Sequence, residues 1–279
     1  VPDATCPSAG ADPLPGPTGG TDGRSARDGI RVLDTDGVRV LTLDRPHRRN
    51  AVDRRTALAV ADAVEEMEAD PDLRVLVLTG AGGCFCAGMD LSVPPGSERP
   101  VVPGRGFAGL TRRPPGRPVV AAVEGHAAGG GFEIVLACDL VVASPTASFS
   151  LPEVRRGLVP GAGGLLRLPA ALPRAVASWM ALTGEPLSGR RAHEFGLVNL
   201  LAEPGRVLED ALDLARAVAA NAPLAVRAAR RILAEGQSWP ADRAWSHQEL
   251  ICRAVRESRD AREGAAAFLE KRAPRWSGT

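Results

Sequence analysis

Apolar residues follow two rhythms along this chain. Residues 30–33 and 38–43 are short apolar runs on either side of Thr35-Asp36-Gly37, which predicts a β-hairpin. From 53 to 69 the apolar positions Leu58, Val60, Ala61, Val64 and Met67 recur among charges. That spacing predicts an amphipathic helix with Asp53 near its start, and Asp70-Pro71-Asp72 ends it. Residues 73–78, apolar except for Arg74, and the unbroken apolar run 119–123 predict buried strands. Further on, 163–171, 173–182 and 188–195 predict helices and 197–201 a strand. Four helical runs close the chain, at 206–220, 223–235, 240–256 and 258–271. The pattern is that of a mixed α/β core with a helical end.

Two stretches have neither rhythm. Residues 1–28 hold five prolines and five glycines, with Val1 and Leu14 as the only large aliphatics. So little apolar surface does not offset the entropy of ordering, and a disordered tail is expected. Residues 92–118 hold seven prolines, five glycines and five arginines, and are expected to form an irregular, mobile flap.

The most informative stretch is 118–153. The strand at 119–123 leads to Gly125 and then to Gly129-Gly130-Gly131, after which Phe132, Ile134, Val135, Leu136 and Cys138 read as helical. A glycine turn that enters a helix presents free N–H groups to a developing negative charge. Glu133 falls in the first helical turn, and Glu153 comes after a further pair of strands, at the start of a short helix over 152–156. Taken singly, each glutamate also fits the bland role of a carboxylate at a helix N-terminus.

Composition narrows the chemistry. The chain has 279 residues and a net charge of +1, so no polyanionic partner is implied. There is no tyrosine, which excludes a tyrosine acid. The five cysteines, at 6, 84, 86, 138 and 252, give no disulfide framework, and Cys84 and Cys86 are too isolated for a zinc site. No metal is expected. No apolar run is long enough to span a bilayer and no apolar signal core opens the sequence, so a cytoplasmic enzyme is expected. The glycines at 80–88 resemble a dinucleotide fingerprint, but Pro94-Pro95 follow where a helix is needed. There is no Gly-x-Ser-x-Gly elbow.

Four segments together resemble the enoyl-CoA hydratase/isomerase (crotonase) family. They are Leu43-Asp44-Arg45-Pro46 with Arg49-Asn50-Ala51, LTGAGGCFCAGMDL at 78–91, GHAAGGGFEIVLACDLVVA through FSLPEVRRGLVPGAGG at 125–164, and EGAAAFLEKRAPRWSG at 263–278. They span residues 29–279 in the family's order. The resemblance implies an α/β crotonase-like spiral of ββα repeats over 29–201. A helical region at 202–279 would mediate trimerisation and complete the coenzyme A site. It implies Glu133 as the catalytic base that activates water and Glu153 as the acid, and the backbone N–H groups of Met89 and Gly130 as the oxyanion hole. It places Arg48, Asn50 and Ala51 near pantetheine and phosphates, and Leu91 with the backbone of Ala87 and Asp90 near the adenine. Phe268 and Lys271, the only lysine, would sit at the nucleotide end of CoA bound by a neighbouring subunit.

The implied reaction is syn addition of water to a trans-2-enoyl-CoA, with CoA as part of the substrate, no other cofactor, and a homotrimer or dimer of trimers. An isomerase or a specialised acyl-CoA dehydratase of the same family is the alternative. A non-catalytic CoA- or RNA-binding module is a further one, since arginine pairs at 112–113, 155–156, 190–191 and 230–231 suit phosphates. Balanced charge and sparse aromatics count against nucleic acid. Two residues depart from the family pattern: His126, where tyrosine is common, and Glu124, where asparagine is.

Overall fold

The computed structural model describes residues 25–92 and 98–279. The first 24 residues of the expected disordered tail, Cys6 among them, lie outside the described residues, as do residues 93–97 of the expected flap. The tail's last part is corrected: Ser25–Arg27 is a strand, β1, that pairs antiparallel with β2, Ile30–Thr35. Sequence pattern had no means of showing this, because a three-residue strand held by its neighbour's edge needs no apolar rhythm of its own.

The hairpin forms as expected. β2 pairs in register with β3, Val38–Leu43, through a turn with Asp36 and Gly37 at positive φ. Helix α1, Arg54–Ala69, follows; the Asp53 carboxylate caps it by accepting the Thr56 N–H at 2.8 Å. Strand β4 runs over Val75–Gly80, two residues later than the apolar run suggests.

The chain then makes a small hairpin, β5 (Val101–Val102) and β6 (Gly106–Phe107). The expectation of a loose flap at 92–118 is therefore corrected for 98–118. Phe107, Ala108, Leu110 and Thr111 are buried, and Gly109 lies so close to α1 that a Cβ there would meet the Ala57 carbonyl at 2.7 Å. Arg105 is clamped to Glu65 and Glu68. Proline and glycine limit this segment to a two-residue ladder, yet a few apolar anchors suffice to pack it.

Two successive turns of the chain repeat one plan. β7 (Val119–Val123) enters the large sheet, β8 (His126–Ala128) a small one, and α2 (Gly130–Val135) returns. β9 (Leu140–Ala143) then enters the large sheet, β10 (Ser148–Ser150) the small one, and a 3-10 turn at Pro152–Arg156 follows. Both repeats run parallel, β7 beside β9 and β8 beside β10. This is the spiral of ββα units. Helix α2 is shorter than the apolar spacing suggests.

Helices α3 (Gly164–Ala171) and α4 (Arg174–Thr183) precede β11 (Leu187–Ser188), α5 (Gly189–Glu194) and β12 (Leu200–Leu201). The strand expected over 197–201 is thus confined to its last two residues. The large sheet has the order β1-β2-β3-β4-β7-β9-β12, and the small one β11-β10-β8.

The large sheet is covered on both faces, which is why its central strands read as unbroken apolar runs. Leu76, Leu78, Ala121 and Val123 face one core with α1, while Val75, Val77, Val120 and Ala122 face α6 (Val207–Ala219). α6 presents Val207, Leu208, Ala211, Leu212, Ala215 and Ala219 as one buried stripe. Beyond it lie α7 (Pro223–Glu235), α8 (Ala244–Arg256) and α9 (Arg259–Glu270), where Leu233, Trp245, Leu250, Phe268 and Leu269 are exposed.

Candidate active site

The parallel strands β4 and β7 end on the same side of the sheet, and the glycine-rich segments that follow them meet there. The segment after β4 is stitched to two others. Cys86 donates its N–H to His126 and accepts that of Ala128, extending the small sheet. Val52 donates to Gly88 at 2.8 Å and accepts from Asp90 at 3.0 Å. This leaves the Met89 N–H between them outside the ladder. The Gly130 N–H, at the start of α2, is likewise absent from the backbone bonds. A Cβ on Gly88 would stand 3.0 Å from the Gly130 nitrogen, so the two expected oxyanion donors belong to segments in close contact.

Each member of the triple glycine has its own steric reason. A Cβ on Gly129 would lie 3.0 Å from Glu153 Oε1, one on Gly130 would meet the Phe107 ring at 2.7 Å, and one on Gly131 would strike the Cys86 carbonyl at 2.1 Å. Any side chain here would displace a carboxylate, lift the β6 residue that covers the turn, or break the junction with the 84–88 loop.

The two glutamates converge on this turn. Glu133 is buried, and its Oε1 accepts the Ala162 N–H at 2.7 Å and the Gly164 N–H at 2.8 Å. Gly164 is required for this: a Cβ there would press on Glu133 Cγ at 2.8 Å. Glu153 sits at the first turn of its 3-10 segment, with Oε2 buried and, among the described residues, without a hydrogen-bond partner. Burial, with the charge of Glu133 adding to it, pushes the Glu153 carboxyl above the usual carboxylate range, against a bond to its own backbone and the pull of Arg156. One carboxylate is thus pinned by two donors, and the other has an orphaned oxygen and is raised above its ordinary range. That asymmetry suits a base and an acid acting on one water.

Several contributors escape a reading of the sequence. Phe107 covers Gly130 from a segment expected to be loose. The N–H groups of Ala162 and Gly164 hold Glu133 from about 30 residues downstream; the glycine pair in Pro-Gly-Ala-Gly-Gly was the only local signal. Arg167 on α3 donates to the Thr111 carbonyl at 2.6 Å and is lowered by burial, which the charge of Glu133 opposes.

The expected CoA residues divide. On the 87–91 loop Ala87 is half-buried and Leu91 is exposed. Asp90 does not offer its side chain. Burial alone would raise it, but Ser92 and Arg45 outweigh burial and hold its carboxyl below the usual range, with Arg45 at 2.9 Å. Its N–H is taken by Val52, which leaves the carbonyl.

The expectation that Asn50 faces CoA is corrected for its side chain. Asn50 is 1% exposed, and its amide donates to the carbonyls of Ala81 at 2.9 Å and Cys84 at 2.6 Å while accepting the Arg45 N–H. It fixes the loop that carries Met89 instead of touching a ligand. Arg45 does similar work, donating to Ala51 at 2.5 Å and pairing with Asp53 and Asp90. Arg48 is exposed on the 3-10 turn Pro46–Arg48. Phe268 and Lys271 stand exposed at the end of α9, and no hydrogen bond or ion pair among the described residues ties either side chain to the 87–91 loop.

The two departures from the family pattern are not drawn to the carboxylates by any hydrogen bond among the described residues. Glu124 is raised by burial and accepts the Gly205 N–H at 3.1 Å. His126 is lowered by burial and by Arg49, and serves β8 through its backbone. The buried Cys86 thiol is pushed up to about 12 by burial and donates to the Asn50 carbonyl, a poor start for a thiolate ligand.

A spiral of ββα repeats with a carboxylate pair beside two free N–H groups has clear relatives. The family model for enoyl-CoA hydratase/isomerase matches residues 34–279, and the chain belongs to that family. Its fold is the crotonase fold. An enoyl-CoA hydratase from Mycobacterium marinum shares 50% identity at a TM-score of 0.88, over 90% of this chain and 100% of that one. A carnitinyl-CoA hydratase from Mycobacterium avium shares 42% at a TM-score of 0.72, over 91% and 100%. A carnitinyl-CoA dehydratase from Salmonella arizonae is 41% identical, over 90% of this chain and 99% of its own length. The protein is an enzyme of the crotonase family, whose members act on CoA thioesters.

Proposed function

We propose that this chain adds water across the C2–C3 double bond of a trans-2-enoyl-CoA, giving a 3-hydroxyacyl-CoA, and catalyses the reverse dehydration at the same site. The supporting observation is the asymmetric pair: Glu133 held at Oε1 by two N–H groups, and Glu153 raised by burial with an orphaned oxygen. Glu133 takes a proton from water as its oxygen attacks C3. The π electrons move toward the thioester carbonyl, whose oxygen gains negative charge facing the N–H groups of Met89 and Gly130. Glu153 then delivers its proton to C2 as the enolate collapses. Each oxyanion donor is worth on the order of 10²–10³ in rate. Ala87, the Asp90 carbonyl and Leu91 border the adenine, Arg48 and Ala51 the pantetheine and phosphates, and Phe268 and Lys271 of a neighbouring subunit the nucleotide end.

A specialised acyl-CoA dehydratase is the second reading. Relatives described as carnitinyl-CoA dehydratase or hydratase, at 41% and 42% identity, favour it. The two readings share the carboxylate chemistry and differ in the acyl group. A panel of acyl-CoA thioesters, followed by loss of enoyl absorbance and by mass, separates them. Gain of one water on simple trans-2-enoyl-CoAs supports the first. Turnover confined to carnitinyl-CoA, with loss of one water, supports the second. A panel with no turnover in either direction contradicts both.

A further inference from the structure

Next to the turn that pins Glu133 stands a half-buried cation, Arg167. Helix α3 starts from Gly163, which caps it at φ +98°, and Arg167 lies one turn in. The Arg167 N–H donates to the Gly163 carbonyl at 3.1 Å. Its side chain folds back over the same residue, so that a Cβ on Gly163 would strike Nη1. The guanidinium therefore lies across the turn whose Ala162 and Gly164 N–H groups hold Glu133 Oε1.

The other end of the guanidinium reaches a different segment. Nη2 donates to the Thr111 carbonyl at 2.6 Å, and Thr111 is buried. Thr111 in turn donates its N–H to the Phe107 carbonyl at 3.2 Å, and the Phe107 ring covers Gly130. A series of contacts thus runs from the oxyanion turn through Phe107, Thr111 and Arg167 to the turn that holds the base.

The charge is placed at a cost. Burial lowers the Arg167 guanidinium, and the groups that oppose this are Glu133 and the Cys138 thiol. Burial pushes the Cys138 thiol up, so it stays neutral, which leaves Glu133 as the counter-charge. Among the described residues Arg167 forms no ion pair, so its charge does not compete with the two N–H donors for Oε1. A tie to one carbonyl could come from a neutral amide at lower desolvation cost. A half-buried cation near the base gives the charge a function as well.

We propose that Arg167 is a positioning residue for the hydration: its guanidinium holds the 162–164 turn against the Thr111 carbonyl and keeps Glu133 set for the water, in register with the oxyanion turn under Phe107. This rests on the reading of Glu133 as the base. Arg167 touches neither the water nor the thioester in this role and acts through Glu133.

The test measures kcat and KM on the acyl-CoA thioester that the wild type turns over fastest, with thermal melts. The variants are Arg167→Met, Arg167→Gln and Arg167→Lys, alone and combined with Glu133→Gln. Arg167→Met removes charge and donor and should lower kcat about 10–100-fold with KM held within about three-fold, the pattern of a misplaced base. Arg167→Gln keeps a donor without the charge and should be similarly slow. Arg167→Lys should recover most of the rate, because one bond to a carbonyl needs no planar fork. In the Glu133→Gln background Arg167→Met should cost less than about three-fold more, since no base is left to position. If Arg167→Met shows no cooperative melt, the lysine and glutamine variants carry the same decision. A wild-type kcat in Arg167→Met or Arg167→Gln, with Glu133→Gln inactive, overturns this proposal and leaves the base assignment standing. So does a lysine variant no faster than the glutamine one, or an equal loss with and without Glu133, the mark of a general prop for the fold. Full turnover by Glu133→Gln overturns the base assignment and this proposal with it.

Discussion

At the scale of single residues, positioning matters as much as chemistry. Glu133 is held by backbone donors on a segment whose own glycine gives it room, so Gly164→Ala should lower kcat more than 10-fold with thioester binding retained. The added Cβ presses on Glu133 Cγ at 2.8 Å and moves the base. A kcat close to wild type would show that Glu133 tolerates displacement. Glu153 gives a prediction in pH. Its folded pKa is raised, so the native state holds the proton more tightly than the unfolded chain. Stability from this group is present below the unfolded pKa and falls as pH rises through the folded one. Glu153→Gln should therefore melt above wild type at neutral pH and alongside it in acid. In the hydration direction, wild-type kcat/KM should fall as pH climbs through the raised Glu153 range, where the acid is lost. A neutral-pH melt unchanged by the substitution would contradict the desolvation argument. Glu133 stands out in the sequence because the glycines before it mark a turn entering a helix, and Glu153 because its Leu-Pro-Glu run resembles the family's. Asn50, Phe107 and the Ala162 and Gly164 donors do not, since their partners lie about 20 to 30 residues away or further and leave no local pattern.

At the scale of elements, legibility follows burial. β4 and β7 stand out because both faces of the large sheet are covered and their residues are apolar without interruption. β8, β10 and β11 have three residues or fewer, too short for a period, and only their registers with each other define them. The 98–118 segment misleads in the other direction. Its prolines and glycines announce a loop, while Phe107 and Leu110 bury it and Arg105 clamps it to α1. Hydrogen exchange divides these effects. Amides at 103–116 should exchange faster than those of Val119–Val123, because few of them belong to a ladder. Equal protection would show that side-chain anchoring alone orders the backbone. Phe107→Ala, which uncovers Gly130, should cost about 3–5 kcal/mol if the core does not collapse into the space. Urea titration measures this, and a loss under 1 kcal/mol would place Phe107 outside the packed core.

At the scale of the whole molecule, the final helices are the unfinished part. α6 is committed to the sheet, but α7 and α8 have no buried residue, and Trp245, Leu233 and Phe268 are about four-fifths exposed. Apolar faces of this extent mark a contact with another molecule. We propose that a trimer or a dimer of trimers covers them and brings Phe268 and Lys271 toward a neighbour's CoA loop. Light scattering of the active enzyme tests this, and a monomer with full activity at the same concentration contradicts it. The amphipathic spacing of the last helices showed that faces existed, not what they meet.

The central claim is that one water is added by Glu133 and Glu153 together. It is tested most directly by the hydration rate of a trans-2-enoyl-CoA for wild type, Glu133→Gln, Glu153→Gln and the double variant, with thioester affinity measured alongside. The account predicts that each single change costs about 10²–10⁴-fold with binding largely kept, and that the double change costs far less than the product of the two, because the pair acts as a unit. Double-bond migration that survives Glu133→Gln but not Glu153→Gln, or turnover indifferent to both, would contradict it.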